Sequence, residues 1–90
     1  MVHVLVRHKV EDFHRWKEVF DSVIEFRKSK GEGSARIFQD ENNTDMMTGI
    51  FGWDSLENAK AFFADAELHK KMKEAGVVGK PEVYFLEEVQ

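Results

Sequence analysis

A chain of 90 residues, 42% hydrophobic and 33% charged, has the composition of one small globular domain. Its formal net charge of −4 argues against general binding to nucleic-acid phosphates, which needs an excess of lysine and arginine to replace counterions. The absence of cysteine excludes disulfides, thiolate metal sites and cysteine nucleophiles.

The opening stretch MVHVLVRHKV interrupts its apolar run with histidine, arginine and lysine, which makes it a poor signal peptide. No segment has the length of a membrane span, so a cytoplasmic protein without membrane contact is expected. Within that stretch Val2, Val4, Val6, His8 and Val10 alternate with His3, Leu5 and Arg7, the period of a strand with one strongly apolar face. Asp12 is a candidate cap for a first helix over residues 13–30, whose inner face would carry Phe13, Trp16, Phe20, Val23, Ile24 and Arg27. Gly31 and Gly33 stop it, and GEGS at 31–34 reads as a glycine turn. ARIFQD is a short second strand, ENNTD a hairpin turn, and MMTGIFGWD a third strand. Asp54 or Ser55 caps a second helix, with Glu57 three residues after Asp54 as a capping box requires, and a kink is expected near Asp65. Gly76 ends that helix; EVYFLEEV, entered through Gly79, Lys80 and Pro81, is the fourth strand.

The order β-α-β-β-α-β predicts a single α+β domain of ferredoxin-like topology, with a four-stranded antiparallel sheet and both helices on one face. In the third strand Met47, Gly49, Phe51 and Trp53 share one face, while Met46, Thr48, Ile50 and Gly52 share the other. An RNA-recognition sheet needs its rings on the face away from the helices, where bases can stack. Here the rings are shifted by one residue, which in a strand moves them to the opposite side, so RNA binding is not expected. The helix-free face would show Leu5, Phe38, Ile50 and either Tyr84 or Leu86, among His3, Arg7, Arg36 and Thr48. So apolar a patch predicts a homodimer closed by packing two sheets face to face.

The stretches HKVEDFHRWKEVFD, FGWDSLENAKAFFADAELHKKMKEAGV and VGKPEVYFLEEV resemble the dimeric α+β-barrel superfamily, near its small stand-alone antibiotic-biosynthesis-monooxygenase-like members. The resemblance covers nearly the whole chain and implies a ligand cavity between helices and sheet in each subunit. It implies no single reaction, since relatives include cofactor-independent oxygenases, haem-degrading enzymes, polyketide cyclases and proteins without a known activity. The haem-degrading branch pairs an asparagine, a tryptophan and a histidine at positions that align with His8, Phe62 and Met72, and His69 is nearly a turn early, so haem degradation is not expected. The cyclase branch's histidine and tyrosine could be supplied in type by His8 or His69 with Tyr84.

His8 is the sharpest candidate for chemistry, a polar residue where the strand pattern calls for valine, and it is the expected catalytic base. The bland alternative is a rim histidine bonded to a nearby backbone or helix group. Trp16, Phe20, Phe51, Trp53 and Phe62 are candidate walls for a flat ring compound, although aromatics at such spacing more often simply fill a core. His69 is a weaker binding candidate, one position off the Leu68–Met72 stripe and readily explained as a surface residue. No metal ligand set, phosphate loop, serine-nucleophile motif or dinucleotide fingerprint is present, so no metal or cofactor is expected. The leading expectation is a dimeric binding domain for a small apolar or aromatic ligand. As an enzyme it would be a cofactor-independent oxygenase, or a cyclase or isomerase, for an aromatic or polyketide-like compound. The alternative is a non-enzymatic ligand sensor or protein-interaction module of the same fold.

Overall fold

Alternating valines at the start of the chain form β1 (Val2–Val10), the strand that both neighbours pair with in a computed structural model describing residues 2–89. The chain continues through α1 (Phe13–Ser22), α2 (Ile24–Ser29), β2 (Glu32–Gln39), β3 (Met46–Trp53), α3 (Leu56–Phe63), α4 (Ala66–Glu74) and β4 (Val77–Glu87). The sheet order is β2-β3-β1-β4, antiparallel throughout, and the helices cover one face. This is the ferredoxin-like α+β arrangement.

Both helical segments are broken, the first at Val23, inside the single helix expected over residues 13–30, and the second at the kink expected near Asp65. Asp12 caps α1 by accepting from the His14 and Arg15 N–H groups. The helix stops at Val23, whose backbone (φ −103°, ψ 20°) leaves the helical region. The break resets the helical phase, so α2 turns Arg27 inward and leaves Ile24 exposed, contrary to its expected inner position. The second helix divides at Ala64–Asp65, the latter capping α4 through the Glu67 N–H. At the start of α3 Ser55, not Asp54, is the cap and accepts from Asn58 N–H, while the Asp54 carboxylate holds the Asn58 side chain.

Two strands are longer than their hydrophobic patterns suggest. Glu32 and Ser34 of the supposed glycine turn belong to β2, paired with Trp53 and Gly52. β4 begins at Val77 rather than Glu82, and Gly79, Lys80 and Pro81 form a bulge within it. Arg7 pairs with Glu82 and Lys9 with Val78, so His8 has no register partner on that side. Gly79 takes φ 74°, a left-handed value that glycine tolerates, and Pro81 is accommodated because β4 is an edge strand.

The core lies between helices and sheet. Val4, Val6, Phe51 and Trp53 pack with Ala59, Phe62 and Leu68, and Val10 and Met47 pack with Trp16 and Ala75. Phe51 and Trp53 are buried beneath the helices, as side-chain alternation along β3 requires. The other face carries Leu5 between Ile50 and Tyr84, and His3 beside Leu86. Both fourth-strand candidates, Tyr84 and Leu86, are therefore on it, at 52% and 44% exposure, with Phe38 at 43%. Arg7 on this face is clamped by two hydrogen bonds to Asp40, at 2.9 and 2.8 Å, and one to Thr48 Oγ1.

Candidate functional site

Aromatic residues from both layers enclose a cavity of about 70 Å³ between the helices and the sheet. Its walls include His8, Phe51 and Trp53 from the sheet and Trp16, Phe20 and Phe62 from the helices. Trp16 stacks on Phe20 with centroids 5.0 Å apart, and the Phe62 ring lies 4.7 Å from the Trp53 centroid. Trp53 is anchored by its indole N–H, which donates to the Lys30 carbonyl at 3.0 Å. Gly49 makes room for the set: a Cβ there would stand 2.5 Å from Phe51 Cζ. The same rings fill the core and line its hollow.

His8 projects from β1 into this hollow, 5% exposed, with its ring edge-on to Trp16 at 5.6 Å. Its Nδ1 is buried without a hydrogen-bond partner. Burial pushes its pKa down to about 4, against a smaller opposing effect of backbone hydrogen bonding, so the imidazole is neutral at pH 7. Unfolded, the same group protonates near 6.5, and the unfolded chain therefore binds more protons between these two values. His8 thus costs no stability above pH 6.5 and progressively destabilises the fold as pH falls from there towards 4. We expect wild type to lose about 2–3 kcal/mol more than His8→Leu between pH 7 and pH 4.5 in urea titrations. Equal losses would mean that water reaches the ring.

The hollow has a second polar element that the hydrophobic pattern did not signal. Arg27 of α2 and Glu32 at the start of β2 form an ion pair whose side chains are 6% and 5% exposed. Arg27 also donates to the Phe20 carbonyl at 3.0 Å and lies 3.6 Å over the Phe20 ring. The one available clue was that Arg27 continues the helical stripe through Phe20 and Val23; Glu32, in an apparent turn, offered none.

His69 does not join the group. It is exposed on α4, with Nε2 2.9 Å from the Phe63 carbonyl across the break between α3 and α4. It borders a separate open cleft of about 840 Å³ between α4 and β4, together with Lys73, Lys80 and Tyr84. Phe63 and Met72 border both spaces and separate them. Tyr84 lies on the sheet face opposite His8, so those two cannot act on one atom, whereas His69 and Tyr84 share the cleft.

No protein-family sequence model matches the chain, and no curated protein sequence matches it. Solved structures do. An antibiotic biosynthesis monooxygenase-type protein from Bordetella bronchiseptica superposes with a TM-score of 0.78 at 13% identity, over 99% of this chain and 97% of that one. A variant of SnoaB, described as a cofactor-independent oxygenase from Streptomyces nogalater, gives 0.76 at 14% identity over 99% and 93%. A conserved protein from Methanosarcina mazei gives 0.74 at 13% identity over 98% and 92%. The chain has the antibiotic-biosynthesis-monooxygenase-like α+β-barrel fold. At such low identity the likeness is one of architecture, and it extends over nearly the whole chain. The hollow between helices and sheet carries His8, the aromatic wall and the Arg27–Glu32 pair on both layers of the chain: β1, β2 and β3 of the sheet and the helices above it.

Proposed function

We propose that the protein is a homodimeric, small-molecule-binding barrel that processes an aromatic or polyketide-like compound in the His8 cavity. The single observation carrying this reading is a buried, neutral imidazole with a free nitrogen inside an aromatic-walled hollow. The SnoaB likeness favours oxygenation without a bound cofactor over cyclisation. Such chemistry needs a carbon acid whose anion can itself reduce oxygen. His8 takes the proton, the carbanion passes one electron to O₂, and the radical and superoxide combine to a peroxide. Loss of water then leaves a ketone, so a CH₂ group and O₂ become C=O and H₂O with no outside reductant. A base with a pKa of about 4 is weak for this task in the empty site, but an anion forming beside it in a dry cavity raises its proton affinity.

The test is oxygen uptake with an anthrone-type carbon acid. His8→Leu should lower kcat/KM about 10²-fold or more. The acid limb of kcat/KM should fall near pH 4 rather than near 6.5, because neutral His8 is the active form. Unchanged turnover in His8→Leu removes His8 from the mechanism.

A second reading, a non-enzymatic ligand sensor or interaction module, is favoured by the size of the hollow. Its 70 Å³ falls below the roughly 150 Å³ of an apolar cavity that takes up benzene, so a ring must displace wall residues to enter. Phe63 and Met72, half-buried between cavity and cleft, are the side chains placed to move. The dimer is supported by the exposed Phe38, Tyr84 and Leu86 on the uncovered sheet face.

A further inference from the structure

Among the described residues, three buried side-chain polar atoms lack a hydrogen-bond partner: His8 Nδ1, Arg27 Nε and Glu32 Oε2. All three belong to residues lining the same cavity. Buried polar groups are nearly always satisfied, so three open valences around one hollow mark places that an occupant's polar atoms would fill. The sheet register sets them at opposite ends. Glu32 is level with Trp53, and His8 is level with Met47, six residues along β3, or about 20 Å of strand measured between Cα positions. The rest of the lining is ring faces and aliphatic groups, among them Phe20 and Phe51, with Lys71 of α4 as the one further charged residue.

The ion pair is more than a structural tie. Its Nη1–Oε1 contact would hold α2 against β2, and the bond to the Phe20 carbonyl would hold α2 against α1, with each partner's remaining atom still unused. A guanidinium N–H can donate and a carboxylate oxygen can accept. Because the two charges cancel, the pair favours a neutral hydroxyl or carbonyl over a carboxylate or phosphate. Arg27 and Glu32 also border a surface groove between α1, α2 and β2, which places the pair between the cavity and the protein surface as its end wall.

We propose that Arg27 and Glu32 form a second polar subsite, which binds a neutral oxygen at the end of the ligand away from His8. The cavity then selects ring compounds with oxygen at two distant edges. This rests on the reading of the cavity as the binding site. Arg27 and Glu32 are specificity residues in this scheme; His8 is the group that meets the reacting atom.

Calorimetric titration with 2,6-dihydroxynaphthalene and 2-naphthol tests the proposal, using wild type and the double variant Arg27→Met/Glu32→Leu. The double replacement removes both charges together and is tolerated where single removal is not; cooperative unfolding of the variant confirms its fold. Wild type should bind the diol about tenfold or more tightly than 2-naphthol, the gain from one added hydrogen bond to a charged group. The double variant should bind the two alike. Equal affinities in wild type, or a preference that survives the double replacement, overturn the subsite while leaving the cavity reading intact. Failure of wild type to bind either compound overturns both.

Discussion

Glu32→Leu alone is expected to lower stability by about 3–5 kcal/mol, because it leaves the Arg27 guanidinium buried without its counter-charge. Against a total of roughly 5–15 kcal/mol for a domain, that is a large share of what holds the fold together. The melting temperature should drop by about 12 °C or more, at roughly 4–8 °C per kcal/mol for a chain of this size. The Phe20 carbonyl and ring remain beneath the guanidinium and soften the loss without neutralising the charge. Adding Arg27→Met should recover most of it, since the pair as a whole is close to neutral in its effect on stability while either half alone is not. Thermal unfolding of the two variants side by side provides the check. A single variant within about 1 kcal/mol of wild type would show that water reaches the pair, as surface ion pairs rarely matter more than that.

Ile50→Lys should split the proposed dimer. Ile50 lies between Leu5 and Arg36 in the middle of the uncovered sheet face, so a lysine there meets an arginine neighbour and no acid. Packing two sheets would bury that cation twice around a two-fold axis, an expected cost of about 3–5 kcal/mol for each unpaired charge. Sedimentation velocity should show wild type as a dimer and the variant as a monomer with reduced stability. An aspartate is the less incisive choice, because Arg36 beside it would supply a partner. A variant that sediments as a dimer, or a wild type that does not, removes the sheet face as the contact.

The fold was readable because it follows from short periods. Valine alternation in β1, helical spacing from Phe13 to Phe20, and the Ser55 cap each encode local geometry that needs no distant partner. The same parity argument placed Phe51 and Trp53 under the helices, since a strand has only two faces. The break at Val23 was less legible than the kink near Asp65, because one continuous helical stripe and two short helices in different phases look alike in sequence. The full extent of β4 was hidden by Gly79 and Pro81, which read as an entry turn and prove to be a bulge.

Chemistry divided along the same line. His8 stood out alone from its sequence, as a polar side chain on an apolar strand face, and the chain's own alternation determined the direction in which it points. Only the tertiary structure decided that its Nδ1 would go unpaired, that burial would hold its pKa near 4, and that Arg27 and Glu32 would share its cavity. Periodicity fixes which way a side chain leaves its own strand or helix. Desolvation and ion pairing depend on what other elements bring alongside, and that is settled by packing α1 and α2 onto the sheet.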